Sequence, residues 1–157
     1  MGADSIGILP KSIPAQDIYE FLKKNKGMVN IDLIQRQYDK STYSIKFKYS
    51  STLENGDEID EYEQFEDRDM FVSVEKNPSL EEIEFWRESL NLKQDLKEYT
   101  YIRLKSIGCS ADIISSILAE FGGGYLIPND NREKVVEINK DNLCDLYLDE
   151  GDIAYEY

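Results

Sequence analysis

Histidine is absent from this 157-residue chain. That absence removes Ser-His-Asp and Cys-His nucleophilic systems, histidine-containing metal sites and the usual general base near neutral pH. Cysteine is scarce. Cys109 and Cys144 stand far apart and neither belongs to a CxxC, which argues against a disulfide scaffold and a thiolate zinc site. No apolar run approaches the roughly eighteen residues of a membrane span, and no N-terminal apolar segment has the form of a signal peptide. Ile6 stands where a myristoylation signal needs Ser or Thr. Together these absences lead us to expect a cytoplasmic protein with no membrane attachment, no metal, no cofactor and no enzymatic activity.

Positive charge is also in short supply. The chain has 32 acidic and 18 basic residues, for a net charge of −14. The deficit is local. Residues 53–69, LENGDEIDEYEQFEDRD, hold nine acids and one base, a net −8. Residues 141–157 hold six acids and no base, a net −6. Removing those 15 acids and one base from the totals leaves 17 of each sign. The chain is a balanced domain carrying two acidic segments. Its charge excludes duplex DNA, RNA and anionic membranes as direct partners, because those need basic patches. A basic protein surface is the partner that this sign favours.

What is present reads as one α+β domain over residues 1–157 with a mostly antiparallel sheet. Ser5–Leu9 is a short apolar strand. Pro14 suits the first turn of a helix whose stripe is Ile18, Phe21 and Leu22, with Lys23, Lys24 and Lys26 near its negative end and Gly27 to stop it. Residues 28–38 alternate as a strand. In 43–49, Tyr43, Ile45, Phe47 and Tyr49 fall on one face, and Ser44, Lys46 and Lys48 on the other. Asn55-Gly56 offers a hairpin turn before a strand at 69–74. Ser79 and Glu82 form a capping box. The helical pattern that they open continues to Gly108, with a break near Asn91. A further helix starts at Ser110 and carries Ile113, Ile114, Ile117, Leu118 and Phe121 to a stop at Gly122. Strands at 124–127 and 134–138 follow, and 143–148 offers one more. The expected class is therefore α+β, with one N-terminal helix and two to three helices clustered in the C-terminal half.

No motif carries chemistry. In Phe121–Asp130 the glycines follow a helix and precede a strand, the reverse of a dinucleotide loop, and Ile127 stands where the third glycine belongs. The segment reads as a helix cap turning into a strand. Calcium-loop spacing does not occur, since Gly151 would put the first ligand position at Leu146. Cys109 precedes the Ser110 cap with no base or second cysteine near it in sequence, and reads as a small packed residue.

The acidic segments read in two ways, as a binding surface for a basic partner or as a solvated surface with no dedicated role; one shared face would favour the first and opposite sides of the fold the second. Ile59, Tyr62 and Phe65 are interleaved with the acids of 53–69, and Tyr147, Tyr155 and Tyr157 with those of the tail, which sets apolar anchors in a charged rim. The candidate partner-binding residues are Asp57, Glu58, Asp60, Glu61, Tyr62, Glu63, Phe65, Glu66, Asp67, Asp69, Tyr147, Asp149, Glu150, Asp152, Tyr155, Glu156 and Tyr157. Two forms of 53–69 stay open. A helix would carry one carboxylate per ~3 Å, near the ~3.4 Å charge spacing of a DNA strand. A hairpin would carry one per ~6 Å and set Lys46 and Lys48 against acids.

In overall character the chain is similar to small acidic, Tyr-rich phage or plasmid accessory proteins that inhibit host defence or nucleic-acid enzymes, and to immunity proteins that neutralise toxins. The likeness is compositional and assigns no residue roles. It implies an inhibitor or neutraliser that docks on a basic, nucleic-acid-binding protein surface. The alternatives are a small-molecule-binding or enzymatic domain with incidental acidity, and an assembly subunit with a Tyr-rich interface.

Overall fold

The computed structural model describes residues 4–25, 28–36, 41–50, 65–105, 110–128 and 132–141. Among these residues seven strands form one sheet: β1 Ser5–Leu9, β2 Met28–Gln35, β3 Thr42–Ser50, β4 Phe65–Glu75, β5 Tyr99–Leu104, β6 Gly124–Ile127 and β7 Val136–Ile138. Three helices, α1 Ala15–Asn25, α2 Leu80–Ser89 and α3 Ser110–Glu120, complete an α+β fold. The spatial order is β2-β3-β4-β5-β1-β6-β7, and every neighbouring pair is antiparallel.

Strand alternation sorts side chains onto two unlike faces. On the closed face, Ile45, Met70, Val72, Ile102, Leu104 and Leu126 meet Ile18 and Leu22 of α1 and Ile113, Ile114, Ile117 and Leu118 of α3 in one core. α1 connects β1 to β2 and α3 connects β5 to β6, so both helices cross strands lying between those they join. The 110–120 stripe expected from helical spacing is the most deeply buried helix face, with those four residues at 0–1% exposure. On the opposite face α2 covers the β5-β1-β6 half alone. Trp86 and Leu90, with Leu96 from the following loop, pack on Ile6, Ile8, Tyr99 and Ile127.

Local chemistry sets the boundaries. Ser79 accepts a hydrogen bond from Glu82 N at 3.2 Å and starts α2, as the capping box predicts. α3 ends with Gly123 N donating to Leu118 O at 2.7 Å while Gly122 takes φ +100°, a conformation that a glycine adopts without steric cost. Thr100, fully buried, accepts from Ile13 N and donates to Lys11 O, both at 2.8 Å. That hydroxyl ties the β1–α1 connection to β5.

One expected element is corrected. Helical character does not continue past α2 to Gly108. Leu92 N closes on Arg87 O at 2.9 Å with Asn91 at φ 53°, and a loop leads into β5. Residues 99–104 form an interior strand between β4 and β1. Thr100, Ile102 and Leu104 enter the closed face, and Tyr99, Tyr101 and Arg103 take the other. This is strict two-residue alternation of β-branched and aromatic residues. The two C-terminal-half helices are consequently separated by a strand and lie on opposite faces. β4 begins at Phe65, four residues before the expected start, and β7 is shortened at its front by a 3-10 turn at Arg132–Lys134.

Gly7 sits where α3 comes closest to the sheet. A Cβ there would lie 2.5 Å from Ile114 Cγ2 and 3.4 Å from Leu118 Cδ2. We expect Gly7→Ala to lower the unfolding free energy by about 1–3 kcal/mol through overpacking, read as a lower midpoint in urea at unchanged slope.

Candidate functional site: the open face of the sheet

β4 joins the first acidic segment to the fold. Phe65, Glu66, Asp67 and Asp69 are strand positions, in register with Ser50, Tyr49, Lys48 and Lys46 of β3. Asp57, Glu58, Asp60, Glu61, Tyr62 and Glu63 lie outside the described residues. So do Tyr147, Asp149, Glu150, Asp152, Tyr155, Glu156 and Tyr157, the proposed strand at 143–148, and Cys109 and Cys144. The β4–β5 register starts at Met70↔Leu104, so residues 65–69 run past the end of β5 with β3 beside them. At ~3.4 Å per residue, the β3–β4 ladder outreaches β5 by ~17 Å.

The two acidic segments meet the described fold at opposite ends of the sheet. β4 starts five residues beyond the level of Ser5, where β1 begins, and β7 finishes level with the end of β1. Four strand spacings, ~19 Å, also separate them laterally. Of the tail, Asp141 alone is described. It is exposed, and its N–H donates to Asn139 Oδ1 at 2.8 Å.

From Asp69 onward, β4 sends every second residue to the face that α2 leaves uncovered: Asp69, Phe71, Ser73 and Glu75. The neighbours in register on that face are Lys46, Ser44 and Thr42 of β3 and Arg103, Tyr101 and Tyr99 of β5. Arg36, just past β2, crosses β3 to reach this row. Its guanidinium lies over the Phe71 ring, 5.1 Å from the centroid, and 4.0 Å from Asp69 Oδ2. Arg36 Nε, Ser44 Oγ and Asp69 Oδ1 are buried there without a hydrogen-bond partner among the described residues. Ile34, 42% exposed, is on the same face of β2.

Where this row meets α2, a cleft of about 690 Å³ opens. Phe71, Ser73 and Tyr101 form its floor, Trp86 and Glu82 its helix wall, and Glu75 and Tyr99 one end. The aromatic rings hold one another edge to face: Trp86 is 6.0 Å from Tyr99 and 4.9 Å from Phe85. The Glu82 carboxylate is held twice: the Ser79 hydroxyl donates to Oε1 at 3.4 Å and the Tyr99 hydroxyl to Oε2 at 2.8 Å. Burial, and then that bond to a carboxylate, hold the Tyr99 phenol well above its usual pKa; the Trp86 indole N–H opposes them. At the other end Arg103 donates to Asp4 at 2.5 Å, which raises the guanidinium pKa further. Ser73 donates to Glu75 at 3.3 Å.

A larger groove, about 1180 Å³, runs beneath the 89–98 loop. Lysines and carboxylates alternate along it without converging on one point. Among the described residues no three His, Cys, Asp or Glu side chains come together to hold a metal ion, and no helix is long and apolar enough to cross a membrane.

Sequence reading missed the cleft because its floor needs β5. The alternation of Tyr99, Tyr101 and Arg103 was the signal that would have found it.

The Tyr99 environment sets a pH dependence. A phenol whose folded pKa is raised contributes stability that is complete below its unfolded value of about 10 and is lost as pH rises toward the folded value. We expect Tyr99→Phe to cost about 1–2 kcal/mol at neutral pH through the lost bond to Glu82. That deficit should shrink as pH passes about 10, since the variant lacks the group that titrates. Urea unfolding of both proteins across that range measures it.

Comparison with family models, with curated proteins and with solved structures finds no match to this chain.

Proposed function

We propose that this protein is an acidic protein-binding module of the cytoplasm, an inhibitor or neutraliser that docks its carboxylate and aromatic surface on a basic protein face, one that itself binds nucleic acid. The observation that carries this reading is the continuous open-face row of β4. It leads from the acidic segment through Asp69, Phe71 and Ser73 to Glu75 and into the aromatic cleft beside α2. Charge then supplies reach, and the aromatic rings supply the desolvated anchor area on which interface affinity depends.

The two acidic segments act in this reading as separate contacts, because the fold receives them at opposite ends. Residues 53–69 are the principal one, since Asp69 at the end of that segment shares a face with the cleft. Like charges at this density repel one another, and a basic partner relieves that repulsion.

A second reading, binding of a small molecule, draws on the volume and aromatic lining of the same cleft. It is distinguished by its indifference to the acidic segment.

Affinity capture from the native host at low and high salt tests the proposal. The variant carrying Asp60→Lys, Glu61→Lys and Glu63→Lys should lose a partner that the wild-type chain holds at low salt, with circular dichroism and melting unchanged. Wild-type binding should weaken steeply as the Debye length falls below about 10 Å. Equal retention of the partner by the reversed variant overturns the proposal.

A further inference from the structure

We infer that the outward face of α2 docks against a basic, amphipathic helix of the partner. The inference rests on the protein-binding reading above. It deepens that reading by placing an apolar anchor and naming the element that covers it.

Exposed apolar area is concentrated on this helix. Among the described residues three large hydrophobic side chains stand well out in solvent, and two of them belong to α2: Leu80 at 79% exposure and Phe85 at 43%. Trp86 and Leu90 turn the other way and pack on the sheet. The Phe85 ring is nonetheless held, edge to face against Trp86 with centroids 4.9 Å apart. A ring already fixed loses little freedom when a partner covers it.

Charge indicates what covers it. Glu81, Phe85 and Glu88 stand at i, i+4 and i+7 on one ridge of the helix, with Leu80 and Glu84 on the ridge beside it. The aromatic ring thus has one carboxylate a turn before it and another a turn after. Glu81, Glu84 and Glu88 make no ion pair or side-chain hydrogen bond among the described residues. Arg87, the one cation of the helix, is engaged by Asp95 at 2.8 Å. An apolar centre in unneutralised negative charge complements an apolar stripe flanked by lysine or arginine.

Spacing selects a helix as the partner element. Glu81 and Glu88 are seven residues apart, which is ~10.5 Å along the axis at ~1.5 Å per residue. Basic residues seven apart on a second helix match that distance, and the apolar residue midway between them meets Phe85. An extended strand presents same-face side chains at multiples of ~6.6 Å and misses it.

The full chain, labelled with nitrogen-15, is titrated at physiological salt with a synthetic alanine-based helix. Its lysines recur every seventh residue with leucine midway, and a scrambled peptide of the same composition is the control. We expect saturable binding of the ordered peptide, amide shifts concentrated in residues 80–88, and affinity about tenfold lower for the scrambled one. Phe85→Ser should weaken binding about tenfold. Leu80→Ser should weaken it severalfold and, at so exposed a position, keep the fold. Glu81→Gln combined with Glu88→Gln should also weaken it severalfold and flatten its salt dependence. Should Phe85→Ser fail to fold, the Leu80 and glutamine variants still decide.

Equal binding of the scrambled peptide, unchanged affinity in those variants, or shifts confined to the sheet overturns the inference. The Asp60, Glu61 and Glu63 reversal reports on the functional proposal separately. If capture of a host partner depends on that segment while the peptide leaves α2 unmoved, the α2 assignment alone fails. If the peptide seats on α2 but no captured partner depends on the segment, the assignment stands and the functional proposal fails.

Discussion

The contact between α3 and β1 at Gly7 is the constraint on which the rest of the structure depends. β1 is hydrogen-bonded to β5 on one side and β6 on the other, so its position sets theirs. With no side chain at Gly7, Ile114 and Leu118 reach the backbone of the sheet, and the closed-face core condenses around that approach. α1 then packs over the β2-β3-β4 half of the same face. On the opposite face α2 covers only the shorter-stranded half.

From that asymmetry comes the uncovered part of the sheet. An antiparallel sheet can leave one face to solvent, provided that face carries polar residues. Here the uncovered strands alternate charge with aromatic rings: Arg36 over Phe71, Asp69 beside both, then Ser73 and Glu75. Three buried polar atoms on this face have no partner among the described residues, and each such atom costs about 1–3 kcal/mol unless something satisfies it. An interface that brings donors and acceptors to this row would recover that cost.

Much of the fold was legible from residue patterns because the signals were local. Ser5–Leu9, the capping box at Ser79 and the Ile113–Leu118 stripe each specify an element through neighbours within a turn or two. The strand 99–104 was not legible in the same way. It follows a strong helix start, and its Tyr, Ile and Leu residues suit a helix core as well as a strand. What decides between them is hydrogen bonding to β4 and β1, whose partners lie some thirty and ninety residues away in the chain. The candidate cleft was hidden for the same reason. Its residues come from β3, β4, α2 and β5, and no periodicity within one segment brings them together.

The sequence by itself determined the composition of the site. It concentrated charge in two short segments, withheld histidine, and placed the aromatic residues that could anchor a partner. Charge and residue type need no fold to be read, because they are properties of the chain. Only the tertiary structure decided which of those residues share a surface. Strand register put Asp69, Phe71 and Glu75 in one row, α2 turned the end of that row into a cleft, and strand direction put the start of β4 and the finish of β7 at opposite ends of the sheet. Those are long-range pairings, fixed by how the core packs and invisible to any window of sequence.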